Sequence, residues 1–272
     1  IKCGNSLLSR FPLDADLSKA LKSIKYDVKA YRGFVNDYKN EKSRDVKRGL
    51  QKIIDTIKTD FRTEIGNNDP KQIKLKKLSG DLFTLLNQGQ IFELTPKENK
   101  ARKEKQTKLE ADITKLSKEI EEIKSNAIYK NAFEWRFEFP EVLSNDGEFE
   151  GFDVIIANPP YIQHRELAHL SANFKENYNV YSGTSDISSY FFEKFTKIIN
   201  PKGIISVINS NKFFNAEYGR PLRKYLSNYP FISIINFEQV PIFDEALVSS
   251  AIFTITNNSN KEAFDYVKYF KE

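Results

Sequence analysis

The spacing of hydrophobic positions divides the chain into two kinds of segment. Between residues 14 and 130, apolar side chains recur at alternating steps of four and three, which places them along one stripe of an α-helix. Asp69-Pro70 and Thr95-Pro96-Lys97-Glu98 carry helix-start signals, an N-cap before a proline and a capping box. The pattern predicts four helices, of which the last, over about 96–128, is the longest. The stripe positions are Leu17, Leu21, Ile24, Val28, Tyr31, Val35 and Tyr38, then Val46, Leu50, Ile53 and Ile57, then Leu109, Ile113, Leu116, Ile120 and Ile123.

An apolar stripe of this kind needs a partner, so we expect antiparallel, coiled-coil-like packing of these helices against one another. Residues 14–130 also hold 27 Lys and Arg against 19 Asp and Glu. This basic balance permits a phosphate-bearing partner, and an arm that touches DNA is one interpretation. A solvated, lysine-rich helical surface explains the charge equally well.

The second half of the chain alternates short β-branched runs with helical segments. Residues 152–157 form an apolar run typical of a strand buried on both faces, and further strands are predicted over 204–208, 232–237 and 250–256. Helices are predicted over 188–199 and 220–227, and Asn200-Pro201-Lys202-Gly203 reads as a turn. This order predicts a parallel α/β sheet with crossover helices, in which ligands bind beyond the carboxyl ends of the strands.

Composition excludes several classes of protein. No apolar run approaches the roughly 20 residues of a membrane span, and the first residues lack a signal-peptide pattern. The single cysteine, Cys3, fits a reducing compartment, so we expect a cytoplasmic location. His164 and His169 fall on different helix faces, so no metal site is expected, and the carboxylate and lysine of 122–124 lie on a heptad helix rather than in a nuclease site.

The chemistry is concentrated in the four residues that follow the strand 152–157. These residues suit the methylation of an aromatic amine. That reaction requires hydrogen-bond acceptors for both N–H groups of the amine, because the two hydrogen bonds localise the nitrogen lone pair. The side-chain oxygen of Asn158 supplies one acceptor and a backbone carbonyl held by two prolines supplies another; proline also removes competing N–H donors. Tyr161 offers a flat face for a base. The predicted catalytic residues are Asn158, Pro159, Pro160 and Tyr161.

No metal ion or general base is needed for this reaction, because the methyl group arrives activated as a sulfonium. A tight turn that happens to read Asn-Pro-Pro-Tyr is the alternative interpretation, since Asn-Pro commonly starts turns. The position directly after an apolar strand that begins Phe152-Asp153 favours the catalytic interpretation.

Residues 152–161, Phe-Asp-Val-Ile-Ile-Ala-Asn-Pro-Pro-Tyr, resemble motif IV of adenine-specific DNA methyltransferases. The chain is most similar to bacterial enzymes that combine restriction and modification in one polypeptide, the type IIG subfamily. Residues 1–8 resemble motif III of the family, and residues 241–251 resemble motif VIII. Two stretches, 133–142 and 210–223, are similar to segments that this subfamily carries before the catalytic strand and after the following one.

The resemblance implies S-adenosylmethionine as cofactor and double-stranded DNA with a flipped adenine as substrate. It implies that Asn5 and Ser6, with Asn158, contact the cofactor, and that Phe243 stacks on the adenine opposite Tyr161. It also implies a partial Rossmann-like sheet of the S-adenosylmethionine-dependent methyltransferases with a long helical insertion. The implied organisation is 1–13 for the first strand and loop, 14–130 for the insertion and 131–272 for the catalytic part.

The departures from the family pattern are at the two ends. We expect the glycine-rich cofactor loop, motif I, before Ile1 and a target-recognition domain after Glu272, and neither pattern is present in the sequence. The 272-residue piece is therefore expected to be inactive alone and to bind S-adenosylmethionine weakly.

Two other functions remain open from the sequence. The same tetrapeptide serves methylation of a glutamine amide in protein, which is also a planar, delocalised NH2 group; Phe243 and the basic insertion favour a nucleic acid instead. A non-catalytic scaffold or DNA-binding arm is the third interpretation. Asp186 is either a residue on the cofactor side of the pocket or a helix N-cap.

Overall fold

The computed structural model describes residues 2–14, 25–67, 69–87, 96–125, 129–162, 164–238, 240, 242, 249–258 and 263–269. The chain divides into two compact units, residues 1–149 and residues 150–272. The first unit is helical, and the second is built on a β-sheet. The predicted α/β class with a long helical region is confirmed.

Four long helices make up most of the first unit, as the hydrophobic spacing predicts. They are α1 (Val28–Asn40), α2 (Arg44–Asn67), α3 (Pro70–Asn87) and α4 (Pro96–Ser125), and α4 is the longest with 30 residues. Asp69 accepts a hydrogen bond from the Lys71 N–H at 2.8 Å, so the predicted N-cap of α3 is confirmed. The predicted stripe positions Leu17, Leu21 and Ile24, and the capping residue Thr95, lie outside the described residues.

The helices pack as two antiparallel pairs, which confirms the predicted packing mode. In the pair α3–α4, Lys71 near the start of α3 forms an ion pair of 3.3 Å with Glu119 near the end of α4. In the pair α1–α2, buried side chains of both helices share a core with residues of the segment 129–149. The members of this core are Val28, Tyr31, Val35, Ile54, Ile57, Phe61, Phe137 and Leu143.

The second unit contains a five-stranded sheet. Its strands are β1 (Phe152–Ala157), β2 (Ile199–Ser210), β3 (Phe231–Asn236), β4 (Ser250–Thr256) and β5 (Asp265–Lys268), in the order β1-β2-β4-β3-β5. β1 and β2 pair in parallel, as do β3 and β5, but β4 is antiparallel to both of its neighbours. The expectation of a purely parallel sheet is therefore wrong. The strand-end rule still applies, because the antiparallel strand begins where its parallel neighbours end.

The helices of this unit are α5 (Ser171–Asn177), α6 (Ile187–Ile198) and α7 (Arg220–Leu226), with a 3₁₀ segment over His164–Leu170. α6 connects β1 to β2, and α7 connects β2 to β3. The helices at 188–199 and 220–227 are thus confirmed to within one residue. Among the described residues, no helix is both long and apolar enough to cross a lipid bilayer.

The predicted turn over residues 200–203 belongs instead to β2. Phe152 pairs with Ile199, but Val154 pairs with Ile204, so three extra residues of β2 bulge out of the ladder between these pairs. A side chain at Gly203 would meet the Ile199 side chain and the carbonyl of Phe152. The residues that read as a turn therefore form a bulge inside a strand, where glycine permits a close approach of the backbone.

The two faces of the sheet differ in exposure. Ile205, Val207 and Phe253 point to one face and are at most 1% exposed. On the opposite face Val154 is 58% exposed and Ile156 is 83% exposed, so the expectation that the strand 152–157 is buried on both faces is wrong for the described structure. Among the strands that the structure describes, β1 is the outermost and has a neighbour on one edge only.

Candidate active site

The residues predicted to carry the chemistry lie at one edge of the sheet. Residues 158–161 leave the carboxyl end of β1, and Ser210 ends β2. Ser250 begins β4 and pairs directly with Ser210 in the antiparallel ladder. The loop after β1, the end of β2 and the start of β4 are therefore held at the same edge, as expected for a ligand site in an α/β sheet.

Asn158 has an exposed side chain at this edge. Among the described residues, its amide takes part in no hydrogen bond within the protein, so both its oxygen and its nitrogen can meet a ligand. Pro159 is buried and Pro160 is exposed. Because prolines have no N–H, the backbone after Asn158 offers carbonyl acceptors without competing donors.

The loop is anchored at its far end by α6. The backbone N–H of Ile187 donates to the carbonyl of Ile162 at 3.0 Å. Asp186 caps α6 by accepting a hydrogen bond of 2.9 Å from the Ser188 N–H, so the N-cap interpretation of Asp186 is confirmed. The Ser188 hydroxyl in turn accepts a hydrogen bond of 3.1 Å from the side chain of Asn209, near the end of β2.

Tyr161 is held so that part of its ring faces solvent. Its side chain is 36% exposed. Burial raises the pKa of its hydroxyl, a hydrogen bond with the Ser250 side chain opposes this rise, and the charge of Asp186 adds to it. The phenol is therefore neutral at ordinary pH, and its hydroxyl is tied to the first residue of β4.

Asp186 is the electrostatic centre of this edge. Burial raises the pKa of its carboxyl, although the hydrogen bonds from Ser188 and the charge of Lys212 lower it. Burial also raises the pKa of Tyr218, and the charge of Asp186 adds to that rise. The carboxylate of Asp186 thus interacts with Tyr161, Lys212 and Tyr218.

Polar side chains also lie near the ends of β2 and β3, next to this edge of the sheet. Asn209 is 1% exposed, and its side-chain oxygen has no hydrogen-bond partner among the described residues. Asn211 donates to the side-chain oxygen of Asn236, at the end of β3, at 2.8 Å. These contacts link the ends of β2 and β3.

Asn5 and Ser6, the predicted cofactor residues, belong to the first unit. The side-chain oxygen of Asn5 accepts a hydrogen bond of 3.2 Å from the Leu7 N–H, and its backbone pairs with residues 131–133. Both side chains are half-buried. The amide nitrogen of Asn5, the hydroxyl of Ser6 and the free amide of Asn158 fit the polar groups of S-adenosylmethionine in chemical type. A role for these three residues in cofactor binding stays a prediction.

Phe243, the predicted second stacking residue, lies outside the described residues, so its role stays a prediction. A position of Asp186 on the cofactor side of the pocket is likewise untested. The cluster of carboxylates and histidines that a metal site requires is not found in the part of the chain that the structure describes.

Comparison with known proteins identifies the family. The model of the Eco57I restriction-modification methylase family matches residues 15–243, most of the chain. The chain belongs to this family. The resemblance to restriction–modification methyltransferases inferred from the motifs is thereby confirmed, and with it the predicted cofactor, S-adenosylmethionine.

Individual relatives of this Eco57I-family chain agree with the assignment, and two of them serve as examples. The chain is 34% identical over 116 residues to the type II methyltransferase M.BanIII of Aneurinibacillus aneurinilyticus, covering 42% of this chain and 20% of that protein. It is 28% identical over 127 residues to the type II restriction enzyme and methyltransferase RM.Eco57I of Escherichia coli, covering 44% and 13%. The matches thus span about a fifth or less of the length of these relatives.

A solved structure is also similar. It is a class I S-adenosylmethionine-dependent methyltransferase from Listeria monocytogenes, with 14% sequence identity and a TM-score of 0.37, covering 94% of this chain and 90% of that chain.

Sequence reasoning gave no role to three residues of this edge, Ser250, Lys212 and Tyr218. Ser250 and Lys212 lie in segments that resemble the family, but nothing in their spacing shows that Ser250 approaches Tyr161 or that Lys212 approaches Asp186. The signal that was available is position, since Lys212 follows the end of β2 and Ser250 begins β4. Reading every polar residue at a strand end as a site candidate would have found both.

Proposed function

We propose that the protein transfers the methyl group of S-adenosylmethionine to the exocyclic N6 of adenine in DNA, as part of a bacterial restriction–modification system. The observation that carries the proposal is the segment 158–161 at the carboxyl end of β1, with Asn158 exposed and unengaged and Tyr161 held by Ser250. Family membership supports a methylase, and the choice of adenine N6 rests on the resemblance of residues 152–161 to motif IV of adenine-specific DNA methyltransferases.

The loop suits an amine whose lone pair is delocalised into a ring. The side-chain oxygen of Asn158 and the carbonyl of Pro159 accept the two N–H hydrogens of the amino group, which shifts the nitrogen towards tetrahedral geometry. The lone pair is then directed at the electrophile. When bound, S-adenosylmethionine supplies a methyl group on a positively charged sulfur. As the nitrogen–carbon bond forms, the sulfur–carbon bond breaks and leaves a neutral thioether; the nitrogen then loses one of its protons to solvent and returns to a neutral amine.

Tyr161 supports the same proposal from the geometry of its ring. A base inside a duplex is out of reach of this loop, so the adenine must flip out of the stack, which costs a few kcal/mol. Stacking on an aromatic ring contributes about 1–3 kcal/mol per base and offsets part of that cost. The phenol hydroxyl lies near the Ser250 side chain, and the exposed part of the ring is left for the base.

The test is to identify the methylated nucleoside. DNA is incubated with the intact gene product and isotopically labelled S-adenosylmethionine, digested, and analysed by mass spectrometry. We expect label in N6-methyldeoxyadenosine. Label in N4-methyldeoxycytidine would leave a DNA methyltransferase but refute adenine as the target.

A matched control uses protein as the methyl acceptor. Glutamine amides present the same planar NH2 group, so a bacterial protein extract is offered in parallel with the DNA. Labelled glutamine without labelled DNA would replace the proposed substrate by a protein.

The variant Asn158→Ala tests the loop itself. Its control is Asn177→Ala, because Asn177 is an exposed asparagine of the same unit that lies on α5.

A further inference from the structure

The loop from Ser210 to Gly219, which we call the 210–219 loop, has a fixed shape at the active-site edge. Arg223 of α7 donates hydrogen bonds to the carbonyls of Phe213 at 2.6 Å and Ala216 at 2.8 Å. A side chain at Gly219 would overlap the carbonyl oxygen of Phe213, so glycine lets the loop close on α7. The backbone from which this loop presents its side chains is therefore held in place by the fold.

Lys212 is the cation that the 210–219 loop carries at this edge, directly after Asn211, whose backbone N–H donates a hydrogen bond of 3.0 Å to the carbonyl of Ser249 beside Ser250. Its side chain is exposed, and no ion pair within the described ranges includes it. Its charge acts on the carboxyl of Asp186, which also interacts with Tyr161. An exposed ammonium group at this edge that forms no ion pair within the described ranges is available to an external anion.

We infer that Lys212 binds a backbone phosphate of the DNA next to the target adenine. This inference rests on the proposed function, because a base that stacks on Tyr161 brings the phosphates of its own strand to the same edge of the sheet. Lysine binds phosphate as a point charge and fixes the position of the strand without reading its sequence. Tyr218, half-buried on the same loop, carries a hydroxyl that can donate to the same strand.

The charge of Asp186 provides a second test of the inference, because its removal should change DNA affinity in the opposite direction to the removal of Lys212. Its carboxylate lies at the same edge and repels a phosphate there. Asp186→Asn removes the charge and keeps the helix cap, because Asn caps as well as Asp. Under the inference, Asp186→Asn binds DNA more tightly than the wild type, and Lys212→Gln binds it more weakly.

The experiment measures DNA affinity against salt concentration. The probe is a mixed-sequence duplex with one unpaired adenine, bound by the intact gene product and followed by fluorescence anisotropy. Loss of one phosphate contact lowers the slope of log K against log salt by about 0.9. We expect this loss for Lys212→Gln and none for Lys202→Gln, since Lys202 is exposed at the opposite end of the same strand, β2. Equal slopes for Lys212→Gln and the wild type would overturn the inference.

Two further results decide between phosphate binding and other roles of the lysine. If Lys212 only neutralises Asp186, Lys212→Gln changes nothing in an Asp186→Asn background, and the inference is wrong. A raised KM for S-adenosylmethionine with an unchanged salt slope would assign the lysine to the cofactor and overturn it too. Binding needs no catalysis, so a wild-type protein that binds DNA without methylating adenine contradicts the proposed function alone.

Discussion

The backbone N–H of Ile187 donates a hydrogen bond of 3.0 Å to the carbonyl of Ile162. This bond joins the first residue of α6 to the residue directly after Tyr161. α6 is mostly buried in the second unit, so the loop over residues 158–161 ends on a rigid support. A loop held in this way needs little rearrangement when a base arrives, which is the condition for effective electrostatic stabilisation of a transition state.

Asn158→Ala removes a side chain that only the substrate or the cofactor would contact. Loss of a transition-state acceptor of this kind lowers kcat about 100- to 1000-fold, or by about 2.7–4 kcal/mol. We expect an unchanged thermal midpoint, since the side chain is exposed and makes no internal hydrogen bond. Methylation rates of the intact gene product measure the effect, with Asn177→Ala as the control. Near-normal activity of Asn158→Ala would refute the acceptor role.

Tyr161→Phe and Tyr161→Ala separate the ring from its hydroxyl. The phenylalanine variant keeps the stacking surface and loses the bond to Ser250, so we expect affinity for DNA with an unpaired adenine close to that of the wild type. The alanine variant loses stacking worth about 1–3 kcal/mol, which weakens this binding about 5- to 150-fold. Binding titrations test both variants. Equal losses in the two would show that the ring does not stack on the base.

Asp186→Asn should change how stability depends on pH. A carboxyl whose pKa is raised by folding favours the folded state fully below its unfolded-chain pKa of about 3.9, and this contribution is lost as the pH rises through the folded pKa. Burial raises the pKa of Asp186 in this sense. Asn keeps the cap without the charge, so the stability of the variant relative to the wild type should be higher at neutral pH than near pH 4 (about the unfolded-chain pKa).

Urea unfolding at the two pH values measures this difference. Asp186→Ala serves as the comparison, because it loses the cap as well and should cost about 1 kcal/mol relative to Asp186→Asn. A stability difference between Asp186→Asn and the wild type that stays constant with pH would contradict the raised pKa.

The sequence predicted most elements of the second unit but not their relative direction. The strand over 250–256 was identified to the residue, yet nothing in its apolar pattern shows that it runs antiparallel, because a buried strand has the same composition in either direction. The exposure of Ile156 could not be predicted for a related reason. The hydrophobicity of a side chain indicates that it favours burial, but its actual exposure depends on which elements pack against it.

The sequence indicated the candidate residues Asn158 to Tyr161 but not the side chains that surround them. These four residues could be proposed because one short segment carries both the acceptors and the ring. Ser250 begins β4 and Lys212 follows the end of β2, so the approach of Ser250 to Tyr161 and of Lys212 to Asp186 depends on the strand order β1-β2-β4. A single sequence holds no local signal for that order.

Gly219→Ala tests the closure of the 210–219 loop on α7. The added methyl group would overlap the carbonyl of Phe213, and such overpacking costs about 1–3 kcal/mol. The backbone φ of Gly219 is −77°, which alanine adopts readily, so the cost comes from the overlap alone. Gly183→Ala, which meets nothing within 4 Å, should leave the free energy of unfolding nearly unchanged. Equal stability of the two variants would contradict this reading of the loop.

The β3–β4 ladder pairs Asn236 with Ala251, and the β2–β4 ladder pairs Ser210 with Ser250. The chain between Asn236 and Ser250 is therefore fastened at both ends by strand pairing. Doubling the length of this stretch would cost only about 0.6 kcal/mol of closure entropy. The place of Ser250 near Tyr161 is thus set by strand pairing and not by the length of the chain that leads to it.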